Sequence, residues 1–385
     1  MNLFQGFFLG LIMICISACQ NIEQEQLAST IVLHDEVFAD FATYPIESEE
    51  QIFALNDEAL AFVKQSMKGQ FNPQDKIESL VRNVFSRSRF NLLYRAEANT
   101  TANETFDNRA ANCLSMSIMT YALAKQAGFG VRFQDVEIPE YWTRREGQSL
   151  LNGHINLQIL PKPNNEKMRF ITRGFEVDFD AQASREHFPK TFLSLQQVLA
   201  MYYNNKGADA LLAAEYGNAY AYFKAAITHE PHLVSGLANL GYLYRLNGHY
   251  QFAEDTYLRA LEVDQDNLTA WGNLAYLYRH TQRLAEASQI SARIERKRGD
   301  NPFYHVKLGD TALENRQWQQ ALQHYRTALR LNKSYHEVFF GLAKAYHALG
   351  DIPRSKRYLT LAKKKSRTQQ EQDNYQVKLA LLGRL

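Results

Sequence analysis

The 385-residue sequence predicts a two-part fold: an α+β domain followed by an all-α repeat solenoid. Three observations carry this. From about residue 200, small residues recur at a spacing of 34. Between residues 47 and 182, helical periodicity gives way to short segments of period two. Ahead of both, a separate apolar run opens the chain and is over by residue 18.

That opening run, "FFLGLIMICIS", is uncharged, too short to span a bilayer comfortably, and reads as a targeting signal. It closes on "ISAC", residues 16–19, which resembles the bacterial lipobox, where small residues precede a cysteine that is lipidated and becomes the mature N-terminus. The resemblance implies a lipoprotein signal peptide at residues 1–18, lipid on Cys19 and an N-terminal tether at 19–46. It also implies a bacterial envelope location with the membrane as partner through that lipid, and Gln20 favours the outer membrane, facing the periplasm. No later apolar run approaches spanning length, so everything after Cys19 is expected to be soluble.

An apolar content of 45%, with 12% aromatics, is ample for packed cores. Lys and Arg total 43 against 41 Asp and Glu, and this near balance excludes a nucleic-acid partner. The three cysteines are Cys15, Cys19 and Cys113. With the first two in the signal, Cys113 is the sole thiol of the mature fold and no intramolecular disulfide can form. A lone thiol in an oxidising envelope is either buried and inert or kept for its reactivity. No Cys or His spacing suggests a metal, and no glycine-rich phosphate loop is present, so no cofactor is expected.

Within residues 47–182, "ESEEQIFALNDEALAFVKQSM" and "NPQDKIESLVRNVFSRS" place apolar residues at helical spacing, the second led by Asn72 and Pro73. After residue 128, "FGVRFQDVEI", "HINLQIL", "MRFIT" and "FEVDFD" alternate as strands do. Cys113 lies between these halves. Asn112 is a good N-cap, Cys113 would be the first helical residue, and Gly128 supplies the stop. A sulfur at the positive end of a helix is favoured as thiolate, and a base is then wanted. In "NGHINLQIL" Ile155, Leu157 and Ile159 point one way, so His154, Asn156 and Gln158 point the other, with His154 just past an Asn152-Gly153 turn. In "FEVDFD" Glu176, Asp178 and Asp180 share the polar face, and one carboxylate can hold the imidazole in its working tautomer.

Cysteine at a helix start, histidine on a strand and aspartate on a later strand resemble the transglutaminase-like superfamily, relatives of the papain-type thiol enzymes. "NCLSMSIMTYALAKQAGFGVRFQDVEIP" is similar to its nucleophile helix with the following strand, and "VDFD" to its aspartate strand. The resemblance implies Cys113 as nucleophile, His154 as general base and then acid, and Asp178 as orienting residue, with Asp180 the other candidate. The reaction would be acyl chemistry at an amide. Its oxyanion would be held by the Cys113 N–H and a second donor, for which Asn112 is the nearest candidate. Water as second substrate gives hydrolysis and an amine gives a cross-link; the sequence leaves both open.

The repeat half is read from its columns. Gly207, Gly241, Ala275, Gly309 and Ala343 form one series, and Ala219, Ala253, Ala287, Ala321 and Ser355 another. Phe223, Tyr257 and Tyr325 share an aromatic column, and Ala226, Ala260 and Ala328 a small one. These are the positions where two helices of a pair meet closely, and they resemble the tetratricopeptide repeat family. The third repeat departs, with Ser291 and Ile294 in the aromatic and small columns, so its second helix should pack less regularly. The resulting organisation is a transglutaminase-like domain at 47–182, a connector at 183–199, about five tetratricopeptide repeats at 200–366 and a C-terminal capping helix at 367–385. Such an array resembles a curved solenoid with a concave groove. Its inward face should carry Asn239, Tyr242, Arg245, Asn273, Tyr276 and Arg279, a set suited to an extended protein or peptide ligand, with both arginines solvent-facing. A basic run at 354–367 reads as a solvated helix face.

Two function classes compete. In one, the groove recruits a protein or peptide substrate to a thiol enzyme; in the other, the chain is a non-catalytic scaffold for an envelope complex. The reactivity of Cys113 separates them.

Overall fold

The computed structural model describes residues 32–86, 90–138, 140–145, 148–161, 174–179, 188–366 and 369–382. The expected signal, Cys19, the "MRFIT" strand and Asp180 lie outside the described residues. Contacts divide the chain into two units, residues up to 137 with 154–290, and 138–153 with 291–385. No helix among the described residues is long and apolar enough to cross a membrane.

The first unit opens with three helices, α1 (Glu49–Phe53), α2 (Asp57–Ser66) and α3 (Pro73–Phe85). Each starts where a side chain satisfies an otherwise orphan backbone N–H: Ser48 in a capping box with Gln51, Asn56 on Ala59, and Asn72 on Asp75 with Pro73 at the first turn. A short parallel pair, β1 (Leu93–Tyr94) and β2 (Ala110–Ala111), flanks α4 (Ala102–Asn108). Helix α5 (Cys113–Gln126) follows and is buried nearly all round, from Leu114 through Ala124. Its apolar side chains sit among Ile77, Leu80 and Val84 of α3 and the inner face of a sheet. A buried side chain such as Ile118 contributes about 1.5–3 kcal/mol, so this helix is the centre of the domain core. Gly128 ends it at φ +83°, a conformation that costs a side chain dearly and glycine little.

That sheet is antiparallel throughout, in the order β7 (Phe175–Val177), β6 (Ile155–Leu160), β3 (Gly130–Val136) and β8 (Lys190–Leu193). Ile155, Leu157 and Ile159 are at most 1% exposed and face the core, the alternation their spacing required. Strand β8 and the start of α6 (Leu195–Leu212) fall in the segment read from sequence as connector. They hold polar and aromatic residues in too short a run to announce a strand.

Two helix pairs follow, α6 with α7 (Tyr216–His229) and α8 (Val234–Leu246) with α9 (Tyr250–Val263), and then the helices α10 (Leu268–His280) and α11 (Leu284–Arg298). The glycine columns mark close crossings. A Cβ on Gly207 would lie 2.6 Å from the Phe223 ring, and one on Gly241 2.6 Å from Tyr257. The division between the units falls inside α11, the helix whose aromatic column is Ser291.

Residues 32–47 are not a loose tether. Val32 and His34 meet the Tyr244 hydroxyl at 2.8 and 3.1 Å, His34 stacks on Phe252, and Phe38 packs on Tyr220. Glu47 closes this strap. It accepts from the Tyr202 and Tyr222 hydroxyls at 3.3 and 2.9 Å and pairs with Lys206 at 3.1 Å, while its carbonyl accepts from Tyr203. Burial pushes the Glu47 carboxyl up, but a backbone N–H, the Lys206 ammonium and the Tyr222 hydroxyl outweigh it and hold the group below its ordinary range.

The second unit holds a hairpin, β4 (Tyr141–Arg145) with β5 (Gln148–Asn152), and the helices α12 (Pro302–Glu314), α13 (Trp318–Leu331), α14 (His336–Ala348), α15 (Ile352–Lys365) and α16 (Gln369–Leu382). The hairpin is moored to the start of α12. Glu140 takes a bidentate grip from Arg298 at 2.6 and 2.7 Å, Asn301 donates to the Glu140 carbonyl, and Trp142 lies under the Arg298 and Lys307 cations. Asn152-Gly153 is therefore not a hairpin turn but the point where the chain leaves one strand pair for another. Helix α16 covers the last pair through Tyr375, which is 7% exposed and bonded to His336 at 2.9 Å.

Candidate thiol site and repeat surface

Cys113 occupies the first turn of α5, where Asn112 caps the helix by accepting from the Ser115 N–H at 2.9 Å. His154 immediately precedes β6, and Asp178 immediately follows β7, its neighbour in the sheet. The structure brings all three together. His154 Nε2 lies 2.9 Å from Asp178 Oδ1, with the two side chains only 3% and 6% exposed, and Cys113 is near enough to act on the imidazole's electrostatics. A carboxylate can only accept, so Nε2 carries the proton in that bond and Nδ1 is the nitrogen left for the sulfur. Asn156 Nδ2 donates to the other oxygen of Asp178 at 3.1 Å.

The electrostatics follow from this enclosure. Burial alone would lower the His154 pKa, but the Asp178 carboxylate first, and Cys113 beside it, raise it to about 10. Nearby Asp135 is raised as well, by burial and by the Glu137 charge.

Asn112 serves the helix cap with its Oδ1, donates one side-chain hydrogen to Asn99 and gives its backbone N–H to the Ala98 carbonyl. His154 is buried, and Asn156 beside it is 0% exposed. The sequence separated the faces of β6 correctly but gave no sign that the polar face is also covered. One expectation is corrected at Arg245. This side chain is not solvent-facing, because its guanidinium lies 4.6 Å from the Tyr242 ring centre and 4.2 Å from that of Tyr276, with Nε buried and unpartnered.

The other residues expected on the inward face differ in exposure. Tyr276 is 49% exposed, Arg279 is exposed, and Asn273 and Asn239 are half-buried, the last donating to Asn204 at 2.8 Å. Tyr242, Arg245, Tyr276 and Arg279 thus form an alternating ring and cation ladder along α8 and α10. Among the described residues no group of His, Cys, Asp and Glu could hold a metal.

Comparisons with known proteins bear on the helical half. Models of the tetratricopeptide repeat match residues 237–269 and 256–289, and a TPR repeat model matches 309–350. The uncharacterized protein ycf37 of Guillardia theta is 35% identical over 92 residues, 24% of this chain, and the chain spans half the length of that relative. Among solved structures, the thermophilic TPR protein TTC0263 of Thermus thermophilus is 17% identical with a TM-score of 0.34, covering 48% of this chain and all of that one. Pseudomonas aeruginosa PilF is 18% identical at 0.31, covering 50% and 87%. YrrB, described as a TPR protein with an unusual peptide-binding site, is 14% identical at 0.26, covering 45% and 89%. Scores so low leave the assignment to the family matches and to the 34-residue columns, and on these the chain carries a tetratricopeptide repeat array.

Proposed function

We propose that the chain is a scaffold whose tetratricopeptide array holds a protein or peptide partner. What supports this is the family match together with the ladder of Tyr242, Arg245, Tyr276 and Arg279, which offers flat apolar faces and fixed cations to an extended acidic segment. A pull-down tests it. Arg279→Glu should lose the partner from a chain that still folds, and undiminished recovery would remove the groove as the recognition surface.

A second reading rests on one specific observation, the His154 imidazole set between Cys113 and Asp178. In this reading the N-terminal domain is a transglutaminase-like thiol centre that acts on amide bonds. The Cys113 thiolate attacks an amide carbonyl, a sulfur–carbon bond forms, and the carbon–nitrogen bond breaks as imidazolium His154 gives its proton to the leaving amine. Neutral His154 then takes a proton from water or from an amine, which attacks the thioester and releases the thiolate. Capture by a thiol-directed acyl probe tests this: Cys113→Ala should abolish it and His154→Ala should slow it severely. Equal labelling of the folded variants would leave the scaffold alone.

The location belongs to the same proposal. The "ISAC" sequence supports lipid on Cys19 and attachment to the outer membrane, facing the periplasm. Cys19→Ser should leave the precursor unprocessed and unlabelled by lipid, and normal processing of that variant would defeat the idea.

A further inference from the structure

Asp178 lies one residue beyond the end of β7, where the strand ladder no longer fixes its backbone. Hydrogen bonds to both oxygens fix a carboxylate's plane more firmly than a bond to one oxygen does. His154 Nε2 supplies the first at 2.9 Å, and Asn156 Nδ2 supplies the second at 3.1 Å. The two donors stand two residues apart on the same side of one strand, so both side chains reach towards the end of β7.

The cost of Asn156 is visible. Its side chain is 0% exposed, yet its Oδ1 has no partner. An apolar residue would satisfy the burial better, since an unpartnered buried amide oxygen costs free energy that packing alone does not return. A residue that breaks the local rule in this way is expected where a site requires it. Directly across the ladder on β3 stands Gln134, also buried, with Oε1 unpartnered.

We infer that Asn156 is a positioning residue of the thiol centre, holding the Asp178 carboxylate in plane against the His154 imidazole. This rests on the proposed thiol chemistry and adds a fourth member to it. Asn156 touches neither the sulfur nor a substrate; it acts through Asp178.

The test is the pH profile of Cys113 alkylation by iodoacetate in the full chain. The reagent's own carboxylate is drawn to the imidazolium, so the rate rises as thiolate forms and falls again when His154 loses its proton. Asn156→Leu should move the descending limb down by about one pH unit while leaving the ascending limb in place. Gln134→Leu removes an equally enclosed amide from the facing strand and should leave both limbs where they are. Asn156→Ser, too short to reach Asp178, gives the same expected shift should the leucine variant not fold. A bell-shaped wild-type profile whose descending limb is unmoved by Asn156→Leu or Asn156→Ser overturns this inference alone. A wild-type profile with only the single rise of an ordinary thiol overturns the thiol centre and the role of Asn156 together.

Discussion

Replacing Asp178 by asparagine keeps the shape of the site and removes its fixed charge. The carboxylate is 2.9 Å from Nε2 and both side chains are almost wholly enclosed, so solvent screens little of the interaction. A hydrogen bond to a charged group contributes about 1.5–3 kcal/mol. At about 1.4 kcal/mol per pKa unit, Asp178→Asn should bring His154 down by roughly one to two units from about 10. Because the folded pKa is raised above 6.5, the imidazolium's stabilisation is fully present below 6.5 and is lost as pH rises through about 10. In the Asp178→Asn variant that loss is complete at lower pH, so the variant and its parent differ most in stability at neutral and acidic pH. The assay is an NMR titration of carbon-labelled histidine, with His154→Ala identifying the resonance among the 11 histidines. A parent resonance titrating near 6.5, or identical midpoints in the two proteins, would refute the electrostatic reasoning.

Other consequences can be measured separately. Gly241→Val places new atoms against the Tyr257 ring, 2.6 Å from the nearest carbon for Cβ alone, and should destabilise α8 and α9 by roughly 1–3 kcal/mol, seen as faster amide exchange in those helices. Glu47→Ala leaves the Tyr202 and Tyr222 hydroxyls without their acceptor and should cost about 1–3 kcal/mol in urea denaturation. Since the Glu47 pKa is depressed, its contribution is present above about 4.5 and is lost as pH falls through the folded value, so the difference between Glu47→Ala and wild type should shrink in acid. Arg245→Ala removes a cation from between two rings and should cost about 0.5–2 kcal/mol, whereas exposed Arg279→Ala should leave the melting temperature unchanged.

Local signals were legible and long-range ones were not. Asn112 and Gly128 mark the ends of α5 because capping is chemistry within a few residues. The 34-residue columns announce the helix pairs because each column is a steric requirement repeated, as the Gly207 and Gly241 contacts display. Strap residues 32–47 gave no such sign, since their partners Tyr202, Tyr220, Tyr222 and Tyr244 lie more than 150 positions away. At the candidate site, residue types and chain order suggested Cys113, His154 and Asp178. Asn156 was visible only as a polar residue on the same face as His154, because alternation assigns a face and says nothing of what covers it. Arg245 was misjudged for a related reason: a periodic arginine reads as solvated unless the rings that sandwich it are known to be in reach.

The most direct measurement is the rate at which iodoacetamide alkylates Cys113 at pH 7, compared with free cysteine and with His154→Ala. A thiolate held beside imidazolium His154 should react at least about tenfold faster than free cysteine and lose that advantage in His154→Ala. An unreactive thiol, or one whose rate is unchanged by the loss of His154, would contradict the thiol centre and leave the chain a tetratricopeptide scaffold with an inert cysteine.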